Sequence, residues 1–263
     1  MPNEDGASGQ KERARSRTVL VTGSTSGIGR EVARLLCEDG HTVIGAARSG
    51  RARLSSLLYH PVQLDLTDNG SVGSLMQRMP RDLAKRLDGL INVAGSDVGG
   101  LRPFDETAAA DLHETVATNF TGLILLTHAL LPQLLTRPLA DVVNVTSVNA
   151  VRPAAKLAAY SATKAGVRGF TDALRQELAG TRVRVTEILP GMTRTGFAEA
   201  RWKGDRRRAD EYYRSMTATL MPREVAETVR FCLYRPRSAA ISELVIVPTQ
   251  HPPVRPRRHD SSP

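Results

Sequence analysis

From Thr18 onward, short β-branched runs alternate with longer stretches whose apolar residues recur every three to four positions. The runs predict strands over 18–23, 41–47, 61–64, 89–93, 141–146, 183–189 and 243–247. The longer stretches predict helices over 28–38, 71–86, 117–135, 158–178 and 222–234. In the first helix Ile28, Val32, Leu35 and Leu36 fall on one face. The central strands are apolar nearly throughout, as strands covered on both faces are. Strand and helix alternate with no internal repeat or linker, which predicts an α/β protein: one doubly wound parallel sheet of about seven strands with helices on both faces, over 18–250. Residues 1–17 and 251–263 are expected to be disordered tails, and the long connection 190–221 after the sixth strand a lid.

Composition narrows the class. A chain of 263 residues with 41% hydrophobic content suits one large soluble domain. The two cysteines, Cys37 and Cys232, cannot build a disulfide framework, no Cys/His spacing suggests a metal, and both suit the reducing cytoplasm. The apolar stretch 122–135 is interrupted by Thr127, His128 and Pro132, so no membrane span is expected, and no leader is evident. The formal net charge of +9 raises nucleic acid or anionic ligands as partners. Its placement matters more: residues 1–17 carry one of the nine net charges, 201–208 four and the segment from Pro248 two. Most of the excess therefore lies in tails and lid. Neither a recognition helix nor a zinc-finger pattern accompanies it.

The turn Thr22-Gly-Ser-Thr-Ser-Gly-Ile-Gly29 joins the first strand to the first helix. Gly23, Gly27 and Gly29 allow a tight turn and close approach of backbone to a pyrophosphate, with Ser24, Thr25, Ser26 and Ile28 around it. Taken alone, such a turn also serves as a plain connector; its place at the first βα junction favours a dinucleotide. The second strand ends Ala46-Ala-Arg-Ser49, without the acid that would bind an adenosine ribose. Arg48, with Ser49, offers a donor fork to a 2′-phosphate, which predicts NADP(H) over NAD(H). Asp65 and Leu66, after the third strand, are placed to meet the adenine edge, although a lone Asp is more often a turn former or a cap.

Tyr160 and Lys164 stand four apart at the start of a predicted helix and project from one face. An isolated phenol ionises at about 10, too high for proton transfer at neutral pH, and an adjacent ammonium lowers that value. Ser147 ends the fifth strand, where its hydroxyl can bond a reacting carbonyl oxygen. Asn119 is a poor helix former early in a long helix, a misfit that hints at another role.

Together these residues resemble the short-chain dehydrogenase/reductase family over about residues 18–250, with its Rossmann-type fold. The matching motifs are Gly23/Gly27/Gly29, Asn92-Val-Ala94-Gly95, Asn119, Ser147, Tyr160-x3-Lys164 and Pro190-Gly191. One departure is Ile91, where the family often has a further asparagine. The resemblance implies an oxidoreductase in which Tyr160 gives or takes the proton while hydride moves to or from the nicotinamide. It implies that Ser147 orients the carbonyl, Lys164 holds the nicotinamide ribose and lowers the Tyr160 pKa, and Asn119 supports a relay water. Asn92, Ala94, Gly95, Pro190, Gly191 and Thr193 would line the cofactor site. It also implies a homodimer or homotetramer built on the two long helices.

Substrate choice is expected in the lid, which holds Phe197, Trp202, Tyr212 and Tyr213 among basic residues. Its stretch 195–205 is similar to that of NADP-dependent 3-hydroxy acid dehydrogenases acting on serine or allo-threonine. The segment 241–250 also resembles a branch reducing aldehydes in natural-product pathways. Phe197, Arg201, Trp202 and Lys203 are thus candidate substrate residues, with Arg201 or Lys203 pairing a carboxylate; the plain alternative is a solvated basic face. A non-catalytic Rossmann protein that senses nucleotides or binds nucleic acid is the other reading, and it has no use for the Asn119/Ser147/Tyr160/Lys164 set.

Overall fold

The computed structural model describes residues 16–51 and 54–250. Its strands are β1 (Thr18–Thr22), β2 (Thr42–Ala47), β3 (Tyr59–Gln63), β4 (Leu87–Asn92), β5 (Ala140–Val145), β6 (Val183–Pro190) and β7 (Glu243–Ile246). They form one seven-stranded sheet in the order β3-β2-β1-β4-β5-β6-β7, every pairing parallel. The order reverses between β1 and β4, and the crevice outside the strand ends at that switch is where such sheets take ligands.

The helices are α1 (Gly27–Glu38), α2 (Asn69–Gly73), α3 (Leu75–Arg78), α4 (Arg81–Lys85), α5 (Ala109–Val116), α6 (Gly122–Leu135), α7 (Ala158–Glu177), α8 (Phe197–Arg201), α9 (Arg206–Arg214) and α10 (Pro222–Leu233). Alternation along β1 sorts them onto two faces. Val19 and Val21 join the α1 and α10 side with Val32, Leu36, Val225 and Val229. Leu20 faces the α6 and α7 side with Leu126, Leu130, Leu134 and Leu174. Both cysteines are buried and unbridged, Cys37 on α1 and Cys232 on α10.

Several boundaries differ from the sequence reading. The helix expected over 71–86 is three short pieces. Pro80 forces Met79 out of the helical region (φ −73°, ψ 150°), and glycines at 70 and 73 weaken the first piece. The third strand starts two residues early, at Tyr59, and carries Pro61, which an edge strand tolerates. The helix expected from Ala117 begins at Ala109 and passes through a π turn, Ala117–Thr121. By length and apolarity alone this run, Ala109–Leu135, could cross a membrane, yet Leu123, Leu126, Leu130 and Leu134 are sunk in the core.

The tail boundary also moves. Ser16 donates to the Gly40 carbonyl and Arg17 pairs with Asp141 at 2.7 Å, so the ordered body begins before Thr18. The remaining tail expectations, 1–15 and 251–263, lie outside the described residues. The connection 190–221 folds as α8 and α9, and a parallel bridge between Thr193 and Leu220 ties its two ends.

Candidate active site

Two adjoining clefts of about 370 and 430 Å³ open at the carboxyl ends of the strands. Ile28, Val93, Gly95, Thr195 and Phe197 line both. The larger holds most of the expected dinucleotide residues: Gly23, Thr25, Ser26, Gly27, Ile28, Gly29, Arg48, Ser49, Asp65, Leu66, Ala94 and Gly95. The smaller holds Ser147, Tyr160, Lys164, Pro190, Gly191, Thr193 and Arg201.

The glycine turn fits a bound pyrophosphate. Gly23 has φ +67°, and a side chain on Gly29 would place Cβ 2.4 Å from the Gly23 carbonyl oxygen. Ser26 precedes α1 without a side-chain cap, so the first-turn amides have no capping group from it and point at the cleft. Arg48 is largely exposed and reaches Glu114 at 3.5 Å, a weak contact that leaves the guanidinium available to a phosphate. The Asp65 carboxylate accepts from the Thr67 amide and hydroxyl at 2.9 and 2.7 Å, so its turn-forming use is real even though it lines the cleft.

Two expected cofactor residues point elsewhere. Ser24 is fully buried, its hydroxyl 2.9 Å from that of Tyr59. Asn92 donates to Asn144 at 2.9 Å and to Thr127 at 3.3 Å, inside the sheet. Both satisfy buried polar groups, and in each the neighbouring backbone lines the cleft instead. Thr195 was missed; it lines both clefts and packs against Gly27.

At the reaction end, Tyr160 and Lys164 share one face of α7, with the ammonium 5.8 Å from the phenol ring centre. Lys164 Nζ donates to the Val145 carbonyl at 3.2 Å. The Ser147 hydroxyl hydrogen-bonds the phenol, and it accepts from the Asn149 amide at 3.1 Å. In the protein alone, burial pushes Tyr160 up to about 12 against the Ser147 hydrogen bond. Burial likewise pulls Lys164 down to about 8, with Glu187 opposing. Desolvation thus outweighs the lowering of Tyr160 expected from the lysine. Both shifts bring proton-transfer groups toward or away from neutrality by the same cause, removal from water.

Asn119 sits in the π turn with no exposure. Its side chain clamps Ser96, accepting from the amide and donating to the carbonyl, each at 2.7 Å, and it also donates to Thr163. The polar atoms expected to hold a water are therefore engaged by protein. A π turn at a functional position explains the helix misfit seen in the sequence.

The lid residues separate clearly. Phe197 lines both clefts and meets Tyr160 edge-on, centroids 5.8 Å apart. Arg201 is 5% exposed and lies against Phe197, Trp202 and Tyr212. Its Nε donates to Asp97 at 2.7 Å, while Nη1 is buried with no hydrogen-bond partner among the described residues. Burial raises the Asp97 pKa, and the guanidinium opposes the rise. Trp202 instead packs on Tyr212, outside the cleft linings. Lys203 is exposed, pairs with Asp111 at 3.0 Å and lines neither cleft. Asp97 was missed because an acid two residues past Gly95 carries no motif of its own.

A family model for short chain dehydrogenases matches residues 17–206. The sulfoacetaldehyde reductase 2 of Chromohalobacter salexigens is 36% identical, over 89% of this chain and 95% of its own. An NADP-dependent 3-hydroxy acid dehydrogenase of Salmonella typhi is 35% identical, over 88% and 94%. Among solved structures, the closed form of a serine dehydrogenase complexed with NADP+ superposes with TM-score 0.81 and 33% identity, covering 87% of this chain and 94% of that one.

Proposed function

The chain belongs to the short chain dehydrogenase family, and from that premise we propose that it transfers hydride between NADP(H) and the carbonyl carbon of a small anionic substrate, with a 3-hydroxy acid as the alcohol form. NADP(H) is the cofactor, and the turn of glycines, the uncapped α1 and Arg48 would hold it. When bound, it supplies or takes up the hydride. Tyr160 then donates its phenolic proton to the carbonyl oxygen in reduction and recovers it in oxidation. Ser147 bonds both that phenol and the reacting oxygen, fixing their separation. Lys164, almost fully buried, keeps a positive charge beside the phenol and favours its ionised form. Phe197 and the tyrosines of the lid exclude water over the reacting groups.

The single observation behind the anionic substrate is Arg201. A buried guanidinium nitrogen without a partner carries a large desolvation cost, and a carboxylate or sulfonate in the cleft would satisfy it. Names of the relatives agree, since sulfoacetaldehyde, 3-hydroxy acids and serine all carry an anionic group. The test is a panel of 3-hydroxy acids with NADP+ and of aldehydes and ketones with NADPH, followed by nicotinamide absorbance. Turnover confined to carboxylated or sulfonated compounds supports the reading; preference for neutral ones refutes it.

Assembly follows the same premise. Val116 and Leu135 on the α5–α6 run, and Phe231 and Val245 on α10 and β7, expose apolar surface suited to a second copy. A homodimer or homotetramer is the reading, and sedimentation checks it. The buried free cysteines suit a cytoplasmic location.

A further inference from the structure

Beneath the catalytic groups lies a charge that the reaction above does not use. Glu187, on β6, is fully buried. In register it stands between Asn144 of β5 and Glu243 of β7. Its Oε1 accepts from the Thr146 hydroxyl at 2.7 Å, and its Oε2 from Arg168 at 3.0 Å. Arg168 also pairs with Glu243 and stands one helical turn beyond Lys164 on α7.

Three successive residues at the end of β5 tie this acid to the site. The Val145 carbonyl receives Lys164, the Thr146 hydroxyl seats Glu187, and Ser147 bonds the phenol. A carboxylate at zero exposure is costly unless its charge is matched, and a valine would fill the same strand position more cheaply. The charge in contact with it is Arg168, and Lys164 stands one helical turn earlier on the same helix, α7. Resting on the catalytic assignment of Tyr160 and Lys164, we propose that Glu187 is a positioning residue: its buried carboxylate holds the Lys164 ammonium in charged form and so sets the upper end of the pH range in which the Tyr160–Lys164 pair works.

The surrounding charges fit that role. From α7, Arg168 favours the Glu187 carboxylate while Asp172 disfavours it; from β7, Glu243 disfavours it; just past β5, Thr146 donates to it. Burial raises the Glu187 pKa, and Thr146 and Arg168 offset the rise. Glu187 is in turn the charge that opposes the loss of the Lys164 proton. The titratable side chain placed beside the lysine is the Tyr160 phenol, its ring centre 5.8 Å from Nζ. Asp97, Arg201 and Tyr212 act on Tyr160 from the lid side instead.

The sign follows directly. Glu187→Gln keeps the shape and removes the negative charge, so Lys164 loses its proton at lower pH. The measurement pairs the pH profile of kcat for carbonyl reduction with an NMR titration of 13C-lysine-labelled enzyme, the Lys164 signal being identified by its loss in Lys164→Arg. Glu187→Gln should move both the alkaline limb and the Lys164 midpoint down by about half to one pH unit, with KM for NADPH unchanged. Thr146→Val, which removes the hydroxyl donor, should move them the same way by less, and it keeps the test open should Glu187→Gln not fold. Glu187→Asp, which keeps the charge, should restore the wild-type midpoint even if its melting temperature falls. Midpoints at the wild-type position in both Glu187→Gln and Thr146→Val, with only stability lowered, overturn the proposal. Because the titration reads the lysine without turnover, a failure of the catalytic assignment would show separately, as kcat indifferent to a shifted lysine.

Discussion

Replacing Arg201 with Met separates substrate recognition from lid stability. The Arg201–Asp97 side chains are 6% and 5% exposed and 2.7 Å apart, so removing the cation leaves a buried carboxylate alone. Breaking such a pair costs about 3–5 kcal/mol. Part of that is recovered in acid, because burial already raises the Asp97 pKa and the mutation removes the group opposing it. Asp97→Asn in the same chain should restore much of the stability at neutral pH, since no charge then stays buried. Recognition is a separate quantity. A buried charge-assisted hydrogen bond from Nη1 to a substrate anion is worth about 2–4 kcal/mol, or roughly 30- to 1000-fold in kcat/KM. The assay compares a carboxylated carbonyl compound with a neutral one of equal size in Asp97→Asn and in the double variant. The anionic substrate should lose that factor only when Arg201 is absent, while the neutral one changes by less than about threefold. Equal losses on both substrates would refute anion recognition and leave Arg201 as a lid strut.

Three further outcomes follow. Arg48→Asp should weaken NADPH binding by about 10- to 100-fold, from one lost charge-assisted contact, and improve NADH binding; equal effects on both in a fluorescence titration would contradict the phosphate reading. Lys164→Met should inactivate the enzyme yet stabilise it near neutrality. Folding lowers the lysine pKa from 10.5 to about 8, so below about 8 the folded state bears the full cost of a buried ammonium, and that cost disappears as pH rises through the window up to 10.5. A gain of about 1–3 kcal/mol at pH 7, narrowing toward pH 10, is the expected thermal-melting result; a loss of stability at pH 7 goes against it. Gly29→Ala should abolish NADPH binding, because its Cβ would meet the Gly23 carbonyl oxygen at 2.4 Å; retained affinity in calorimetry would mean the turn can open.

The fold was legible because two periodicities alternate cleanly. Ile28, Val32, Leu35 and Leu36 showed which face of the first helix to bury, and the parallel sheet followed from strands separated by helices, while the strand order came only from the structure. Local breaks were less visible: the Met79-Pro80 stop was present in the sequence but hidden by helix-favouring neighbours. At the site, Gly23, Gly29, Ser147, Tyr160 and Lys164 were readable because their spacing carries a mechanism. Ser24 and Asn92 belong to the same motifs but serve buried polar networks, which spacing does not reveal. Asp97 and Glu187 were invisible for the complementary reason. Each takes its meaning from residues on another element, Asp97 from Arg201 in the lid and Glu187 from Arg168 and Lys164 on α7, and such placement appears only in three dimensions. The same holds for the charge excess: Lys203 and much of the basic run are paired on the surface, while one cation, Arg201, is drawn into the cleft.

The most direct measurement is hydride transfer from L-serine and 3-hydroxypropionate to NADP+ in wild type and Tyr160→Phe, with NADPH affinity measured alongside. Turnover by the wild type on at least one of these acids, lost by about 10²- to 10⁴-fold in the variant at unchanged NADPH affinity, is the result this site predicts. Near-full activity without the phenol, or no oxidation of either acid by a wild type that binds NADPH, would contradict it.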